Sequence, residues 1–227
     1  MILCVIPARG GSKSIKNKNI VKLNGKPLIW YAIKTALQCK TIDQIVVSTD
    51  NPLISKISKS FKVEVIPRPA KISRDTSDVM LAIKHAVANL EKRGKFFDKI
   101  LVLQPTSPFR KVEDINTSLN LLNNPQVDSV VSVCKAEHNP YFVMASIQNK
   151  YLNYPLIKTS KKIFSRQEAP IVYRLNGSIY AIKKEIFEKT NSLITSKTKP
   201  IVMSWKYSID IDTPQDLLFA EFISSQE

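Results

Sequence analysis

The feature that most limits what this chain can become is the alternation of short, wholly apolar runs with longer amphipathic stripes. Ile2–Pro7 is continuously apolar and ends in proline followed by Gly10-Gly11, the pattern of a buried strand entering a tight turn. Over Pro27–Gln38 the apolar residues Leu28, Ile29, Ala32, Ile33, Ala36 and Leu37 recur at the spacing of one helix face. Ile45–Val47 reads as a second buried strand closing on Ser48-Thr49-Asp50, Pro52–Ser60 as a short helix and Val63–Ile66 as a third strand. The clearest helical stripe covers Asp78–Arg93; a strand at Ile100–Leu103, a helix at Val112–Leu122 and a strand at Ser129–Val133 follow. Such alternation predicts an α/β fold with a mainly parallel sheet covered by helices. Ligands of such sheets bind beyond the carboxyl ends of the strands. The loops at 8–19, 48–50, 104–110 and 134–139 are therefore where chemistry is expected.

Between His138 and Val172 the pattern weakens into Pro-, Lys-, Ser- and Tyr-rich sequence, which reads as an insertion or arm suited to a dimer contact. Regular patterning returns with strands at Ser178–Ile182, Ile201–Met203 and Ile209–Asp212, a short helix at Glu185–Lys189 and a last helix from Pro214. The 227 residues fit a single domain carrying that insertion over 138–172. Cys4, Cys39 and Cys134 are widely spaced and odd in number, which argues against a disulfide scaffold or a zinc site and for a reducing cytoplasm. No apolar run nears the roughly 20 residues of a membrane span, and Pro7 and Arg9 interrupt the N-terminal run before a signal-peptide core forms. A soluble, unexported protein is expected. Its formal charge of +15 favours an anionic partner, but the lysines are scattered and charge alone does not choose among nucleotides, nucleic acid and acidic lipid.

Four segments carry candidate chemistry. Ala8-Arg9-Gly10-Gly11-Ser12-Lys13-Ser14-Ile15-Lys16-Asn17-Lys18-Asn19 follows a strand, so the turn amides and Arg9, Lys13 and Lys18 are placed to hold phosphate; the alternative is a basic surface loop. It matches neither a Walker A motif nor a dinucleotide fingerprint. In Ile209-Asp210-Ile211-Asp212-Thr213-Pro214, residues two apart on a strand share a face, which would bring Asp210 and Asp212 together as hard oxygen ligands for Mg²⁺. Alternatively the aspartates cap the helix that Thr213 and Pro214 begin, or pair with lysines. Gln104 opens the rigid loop Gln104-Pro105-Thr106-Ser107-Pro108-Phe109-Arg110 and offers a donor and an acceptor to a hydroxylated ligand; a plain Pro-rich turn is the alternative. Arg166-Gln167-Glu168-Ala169-Pro170 precedes Asn176-Gly177-Ser178-Ile179-Tyr180, where Arg166 suits a carboxylate or phosphate and Asn176-Gly177 also reads as a hairpin turn. Arg68, Asp75, Thr76 and Ser77 form a polar cluster before the long helix; capping accounts for the last three, and Arg68 and Ser77 are also nucleotide-binding candidates. His85 and His138 lack the framework of a catalytic triad, and His85 reads as structural.

Taken in order, IPARGGSKSIKNKNI, LQPTSPFR, RQEAP, NGSIYAI and SIDIDTPQDL resemble the CMP-sialic acid synthetases, the acylneuraminate cytidylyltransferases with their relatives acting on legionaminic and pseudaminic acids. The resemblance spans Ile2 to Leu217. It implies a Rossmann-like fold, a homodimer, and Mg²⁺-dependent transfer of CMP from CTP to a nonulosonic acid with release of pyrophosphate. By that resemblance Arg9, Gly10, Gly11, Ser12, Lys13, Lys18 and Asn19 hold CTP, Gln104 contacts the sugar acid, Arg166 and Gln167 form the family's Arg-Gln motif, Asp210 and Asp212 bind the metal, and Tyr180 lines the sugar pocket. Catalysis would then rest on Arg9, Lys18, Arg166 and Asp212, by positioning and charge. Ser14 stands where the family often has glycine, Tyr141-Phe142 follow His138-Asn139-Pro140 where some members have a lysine, and Leu193-Ile194 replace paired aromatics. The first falls in the phosphate loop and the other two at the sugar end, so the resemblance does not name the sugar. The rival readings are a 3-deoxy-octulosonate cytidylyltransferase, disfavoured by RQEAP and NGSIYAI, and an RNA-binding protein, for which no RNP, KH or helix-turn-helix signature appears.

Overall fold

The computed structural model describes residues 1–12, 14–73 and 78–226. Its elements follow the alternation in the sequence: β1 (Ile2–Pro7), the short pair β2 (Lys22–Leu23) and β3 (Lys26–Pro27), α1 (Leu28–Gln38), β4 (Gln44–Thr49), α2 (Pro52–Ser60), β5 (Glu64–Pro67), α3 (Val79–Glu91), β6 (Lys99–Leu103), α4 (Val112–Leu121), β7 (Ser129–Lys135), β8 (Ser146–Gln148), β9 (Tyr151–Asn153), β10 (Tyr173–Lys183), α5 (Lys184–Thr190), β11 (Thr198–Val202) and α6 (Pro214–Ser224). Seven strands form one sheet in the order β11-β7-β10-β6-β1-β4-β5. All neighbours are parallel except β10, which runs antiparallel to both β6 and β7.

The pleat of β1 explains the layering. Cys4 and Ile6 face α1, α2 and α4 through Ile29, Ile33, Ile54 and Ile115, whereas Leu3 and Val5 face α3 and α5 through Ile83, Leu90 and Phe187. A strand buried on both faces must be apolar at every position, which is why Ile2–Pro7 shows no alternation. Each fully buried Leu or Ile contributes about 1.5–3 kcal/mol relative to exposure. A smaller apolar cluster of Leu23, Leu28, Ile209, Ile211 and Ala220 seats α6 against the start of α1.

Two expectations change. Residues 209–212 belong to no strand; Ile209 and Ile211 pack inward as expected, but the segment is tied to the neighbouring loop by the Ile211 N–H donating to the Thr106 carbonyl at 2.8 Å. Asn176-Gly177 is no hairpin turn. It lies inside β10, where the register with β7 shifts between Leu175 and Tyr180 and Gly177 takes φ +71°, the signature of a bulge. The hairpin turns fall elsewhere, at Asn24-Gly25 between β2 and β3 and at Asn149-Lys150 between β8 and β9, each pair with positive φ as the twist of a two-residue turn demands. Within 138–172 the β8–β9 hairpin leaves Ile147, Tyr151 and Leu152 exposed. Leu193, by contrast, is buried in the core.

Candidate active site

A cavity of about 250 Å³ opens at the carboxyl ends of β1, β5 and β6. Arg9, Gly11, Ser12, Lys18 and Asn19 form one wall; Arg68, Gln104 and Thr106 form another. Local chemistry explains the loop from Arg9 to Asn19. Gly10 lies so close to Asn51, the N-cap of α2, that a Cβ there would stand 2.8 Å from its Nδ2 and 2.9 Å from its Cβ. Asn17 takes the left-handed conformation that asparagine tolerates and starts a single turn of 3₁₀ helix at Lys18–Ile20. Buried Asn19 then donates from Nδ2 to the Arg9 carbonyl at 2.8 Å, closing the loop on itself. The Gly10 N–H is already spent on Asp50 Oδ1 at 2.9 Å, so of the two glycines Gly11 is the one at the cavity.

Arg68 is buried beside the same turn, donating to the Ser48 carbonyl at 2.9 Å and to Ser48 Oγ at 3.2 Å. Burial pushes its pKa down to about 10, the Asp50 carboxylate opposes that and nearby Arg9 adds to it. Arg68 therefore remains a cation at neutral pH.

The aspartate pair meets this loop from across the chain. Lys18 Nζ lies 2.5 Å from Asp212 Oδ1, and Ser14 Oγ donates to the Asp212 carbonyl. The residue that departs from the family's glycine is thus a tether between the loop and the aspartate segment. Asp210 is mostly buried. Burial raises its carboxyl above the ordinary range, a hydrogen bond from Thr106 opposes this and the Asp212 charge reinforces it. Asp210 Oδ1 is buried with no hydrogen-bond partner. Two hard carboxylates, one carrying an unspent buried oxygen, fit a divalent cation. No cluster of three or more His, Cys, Asp or Glu side chains gathers among the described residues, so the remaining ligands of a cation here would be water or phosphate oxygens. Thr213 does cap α6, in a reciprocal box with Asp216, so the capping role falls to the neighbours of the aspartates rather than to the aspartates themselves.

The remaining candidates divide. Tyr180 on β10 is half-buried, its hydroxyl pKa raised by burial and then by the Asp210 charge, so it belongs to the Asp210 side of the site. Arg166 and Gln167 are exposed on the 138–172 segment and do not line the cavity, nor does the 134–139 loop. Lys13 and Ser77 lie outside the described residues, as do Asp75 and Thr76. Asp50, Thr106 and Gly177 fall within segments where chemistry is expected, but none is given a role of its own. A glycine inside a strand pattern can signal a bulge, which is the signal available at Gly177. The parts of Thr106 and Asp50 follow from the tertiary fold that brings them to the site.

Comparison with known proteins accords with this geometry. The family model described as "Cytidylyltransferase" matches residues 3–223. A CMP-N,N'-diacetyllegionaminic acid synthase of Legionella pneumophila subsp. pneumophila is 38% identical over 97% of this chain and 94% of its own length. An N-acylneuraminate cytidylyltransferase of Streptococcus agalactiae is 31% identical over 95% of this chain, which spans only 51% of that enzyme. Among solved structures, a CMP:2-keto-3-deoxy-manno-octonic acid synthetase complexed with CTP covers 99% of this chain and 98% of its own at a TM-score of 0.72; at 19% identity that likeness speaks to the fold alone.

Proposed function

The chain belongs to the cytidylyltransferase family, and from that premise we propose that it transfers CMP from CTP to the anomeric hydroxyl of a nonulosonic acid, releasing pyrophosphate. The observation that carries this reading is the meeting of a cationic loop with the aspartate pair, Lys18 against Asp212, at the carboxyl edge of the sheet. The acceptor's anomeric oxygen forms the new bond to the α-phosphorus as the bond to the pyrophosphate oxygen breaks, and the hydroxyl proton is released. No enzyme nucleophile is required; such a displacement is catalysed by alignment and charge.

Arg9, Lys18 and the amide of Gly11 offset the phosphate charge, and Ser12 and Asn19 belong to the same loop. Arg68 lines the cavity and is assigned to the nucleotide; Lys13 and Ser77, outside the described residues, are assigned to CTP from the sequence alone. Asp210 and Asp212 would hold Mg²⁺, which would supply positive charge against that developing on the phosphates. Gln104 and Tyr180 receive the sugar acid, and Arg166 with Gln167 provides for its carboxylate or for the pyrophosphate. The apolar side chains exposed on the β8–β9 hairpin support a homodimer formed through the 138–172 segment. None of the helices among the described residues is long and apolar enough to cross a membrane, and we place the reaction in the cytoplasm. Two relatives above 30% identity are named as a CMP-N,N'-diacetyllegionaminic acid synthase and an N-acylneuraminate cytidylyltransferase, which favours nonulosonic acids over the eight-carbon octonic acid. Pyrophosphate release with CTP, Mg²⁺ and a panel of N,N'-diacetyllegionaminic, pseudaminic, N-acetylneuraminic and 3-deoxy-octulosonic acids tests the reading. Turnover with none of the nine-carbon acids overturns it.

A further inference from the structure

Arg110 ends the rigid loop that Gln104 begins, and it is only 4% exposed. Its Nη2 donates to the Gln104 carbonyl, and its Nε is shared between the carbonyl and the Oγ of Ser178, each at 3.2 Å. Nη1 has no hydrogen-bond partner. No carboxylate stands at ion-pair distance from this guanidinium among the described residues. Burial lowers its pKa to about 10, partly offset by the Asp210 carboxylate, so the group stays charged at neutral pH. Cys4 supplies no counter-charge there, because burial pushes its thiol far above the ordinary range and keeps it neutral.

A buried cation without a paired anion is a poor device for stability, since desolvation outweighs what its few hydrogen bonds return. What Arg110 does hold is geometry. Register pairs Ile179 with Leu103, so Ser178 and Gly177 lie alongside Gln104. Arg110 fastens the Gln104 backbone to Ser178, the residue that follows Gly177 on β10. A Cβ on Gly177 would stand 3.1 Å from Asp210 Oδ2 and 3.5 Å from Gln104 Oε1. Gly177 is therefore the floor on which the Gln104 amide and the Asp210 carboxylate converge. On the other side the loop is fixed to the aspartate segment by the bond from Ile211 to Thr106.

We propose that Arg110 is a positioning residue for the acceptor half of the site, setting the separation of Gln104 from Asp210 across the bare backbone of Gly177. This rests on the reading of Gln104 as an acceptor contact. The nucleotide wall, from Arg9 to Asn19 and Arg68, shares no hydrogen bond with Arg110 among the described residues, so the two half-sites are separable by experiment.

The test compares Arg110→Met, Arg110→Lys, Gly177→Ala and Gln104→Ala with the parent enzyme. The readouts are kcat/KM for N-acetylneuraminic and N,N'-diacetyllegionaminic acids, the dissociation constant of CTP by calorimetric titration with Mg²⁺, and the melting temperature. Expected for Arg110→Met is a melting temperature within a few degrees of the parent, since removing the unpaired buried charge offsets the cost of the acceptors it orphans, together with a fall in acceptor kcat/KM of tenfold or more and CTP affinity within twofold of the parent. Lysine keeps the charge but cannot span both attachments, so Arg110→Lys should lose acceptor efficiency likewise. If the methionine variant fails to fold, the lysine and Gly177→Ala variants carry the test. Acceptor efficiency within twofold of the parent in these variants overturns the proposal, as does an equal loss of CTP affinity. A Gln104→Ala enzyme with unaltered acceptor kinetics would instead overturn the reading of Gln104 itself.

Discussion

Replacing Asp212 by alanine separates chemistry from folding, because the structure assigns the two very different magnitudes. Among the described residues the side chain makes one ion pair, with Lys18 at 2.5 Å, and it is 66% exposed against 15% for the lysine. A pair so open to solvent is worth about 0–1 kcal/mol. The other bonds at this position belong to the backbone and survive the substitution: the N–H donates to Asp216 Oδ2 at 3.1 Å and the carbonyl accepts from Ser14 Oγ. The capping box of α6 runs through Thr213 and Asp216 and is likewise untouched. Stability should therefore fall by about 1 kcal/mol at most, which for a chain of this size is a drop of roughly 2–4 °C in melting temperature. Loss of a charge that acts on the transition state costs on the order of 10²–10³ in rate, or about 2.7–4 kcal/mol. Continuous pyrophosphate release with CTP, Mg²⁺ and a nonulosonic acid, run beside a thermal melt, measures both. Release within about threefold of the parent would refute the role given to Asp212, given that an electrostatic group acting on the transition state is worth far more. A collapse in melting temperature of more than roughly 10 °C would refute the claim that its contribution to the fold is small.

Three further outcomes follow from individual residues. Burial holds the Asp210 carboxyl above its ordinary value of 3.8, so the folded state binds that proton more tightly than the unfolded chain does. The stability this confers is complete below 3.8 and is lost as pH rises through the raised value. Asp210→Asn, neutral at every pH, should thus be inactive yet melt higher than the parent at about pH 7–8, the gap closing as pH falls toward about 4; a variant melting lower at pH 8 contradicts this. Thr213→Ala removes the cap of α6 and should cost about 1 kcal/mol, seen as a melting temperature lowered by a few degrees. Asn19→Ala removes the part-buried bond to the Arg9 carbonyl, a loss worth about 1 kcal/mol. Because that bond shapes the phosphate-facing loop, the loss should appear as a KM for CTP raised about tenfold, and an unchanged KM would mean the loop does not need the tie.

How much of this was legible in the sequence depended on how local the cause was. Strand β1 and the turn after it could be read directly, because an uninterrupted apolar run followed by Gly10-Gly11 has few other uses in a chain of this composition. Helices α1 to α4 followed from their 3.6-residue stripes, and the Thr213-Pro214 start of α6 from its cap chemistry. The segment at 209–212 misled because alternating Ile and Asp satisfies strand periodicity. In the fold the same alternation seats Ile209 and Ile211 in an apolar cluster with Leu23 and Leu28, with no strand partner at all. Asn176-Gly177 misled for a different reason. The same dipeptide serves a hairpin turn or a bulge, and only pairing with β6 and β7 on both sides decides between them.

That second case explains why the two halves of the site differ in how readily they are found. In a purely parallel sheet each functional loop follows the end of a strand, and a motif placed just after an apolar run marks it. The half proposed to hold the nucleotide obeys this rule: its loop leaves β1, and Arg68 follows β5. β10 does not obey it, because it runs antiparallel between β6 and β7 and reaches the functional edge at its own beginning, before Ile179. There an uninterrupted strand would carry a side chain into the space where Gln104 and Asp210 converge. The bulge removes that side chain at Gly177, and the cost of a left-handed backbone inside a strand is borne by a glycine that alone adopts it without strain. A bulge in a strand set against its neighbours must be held in register by something other than the ladder. Arg110, gripping Gln104 on one element and Ser178 on the other, is placed to do that. The acceptor half is thus built by long-range contacts among residues 104–110, 176–178 and 210, and no single stretch of sequence announces it.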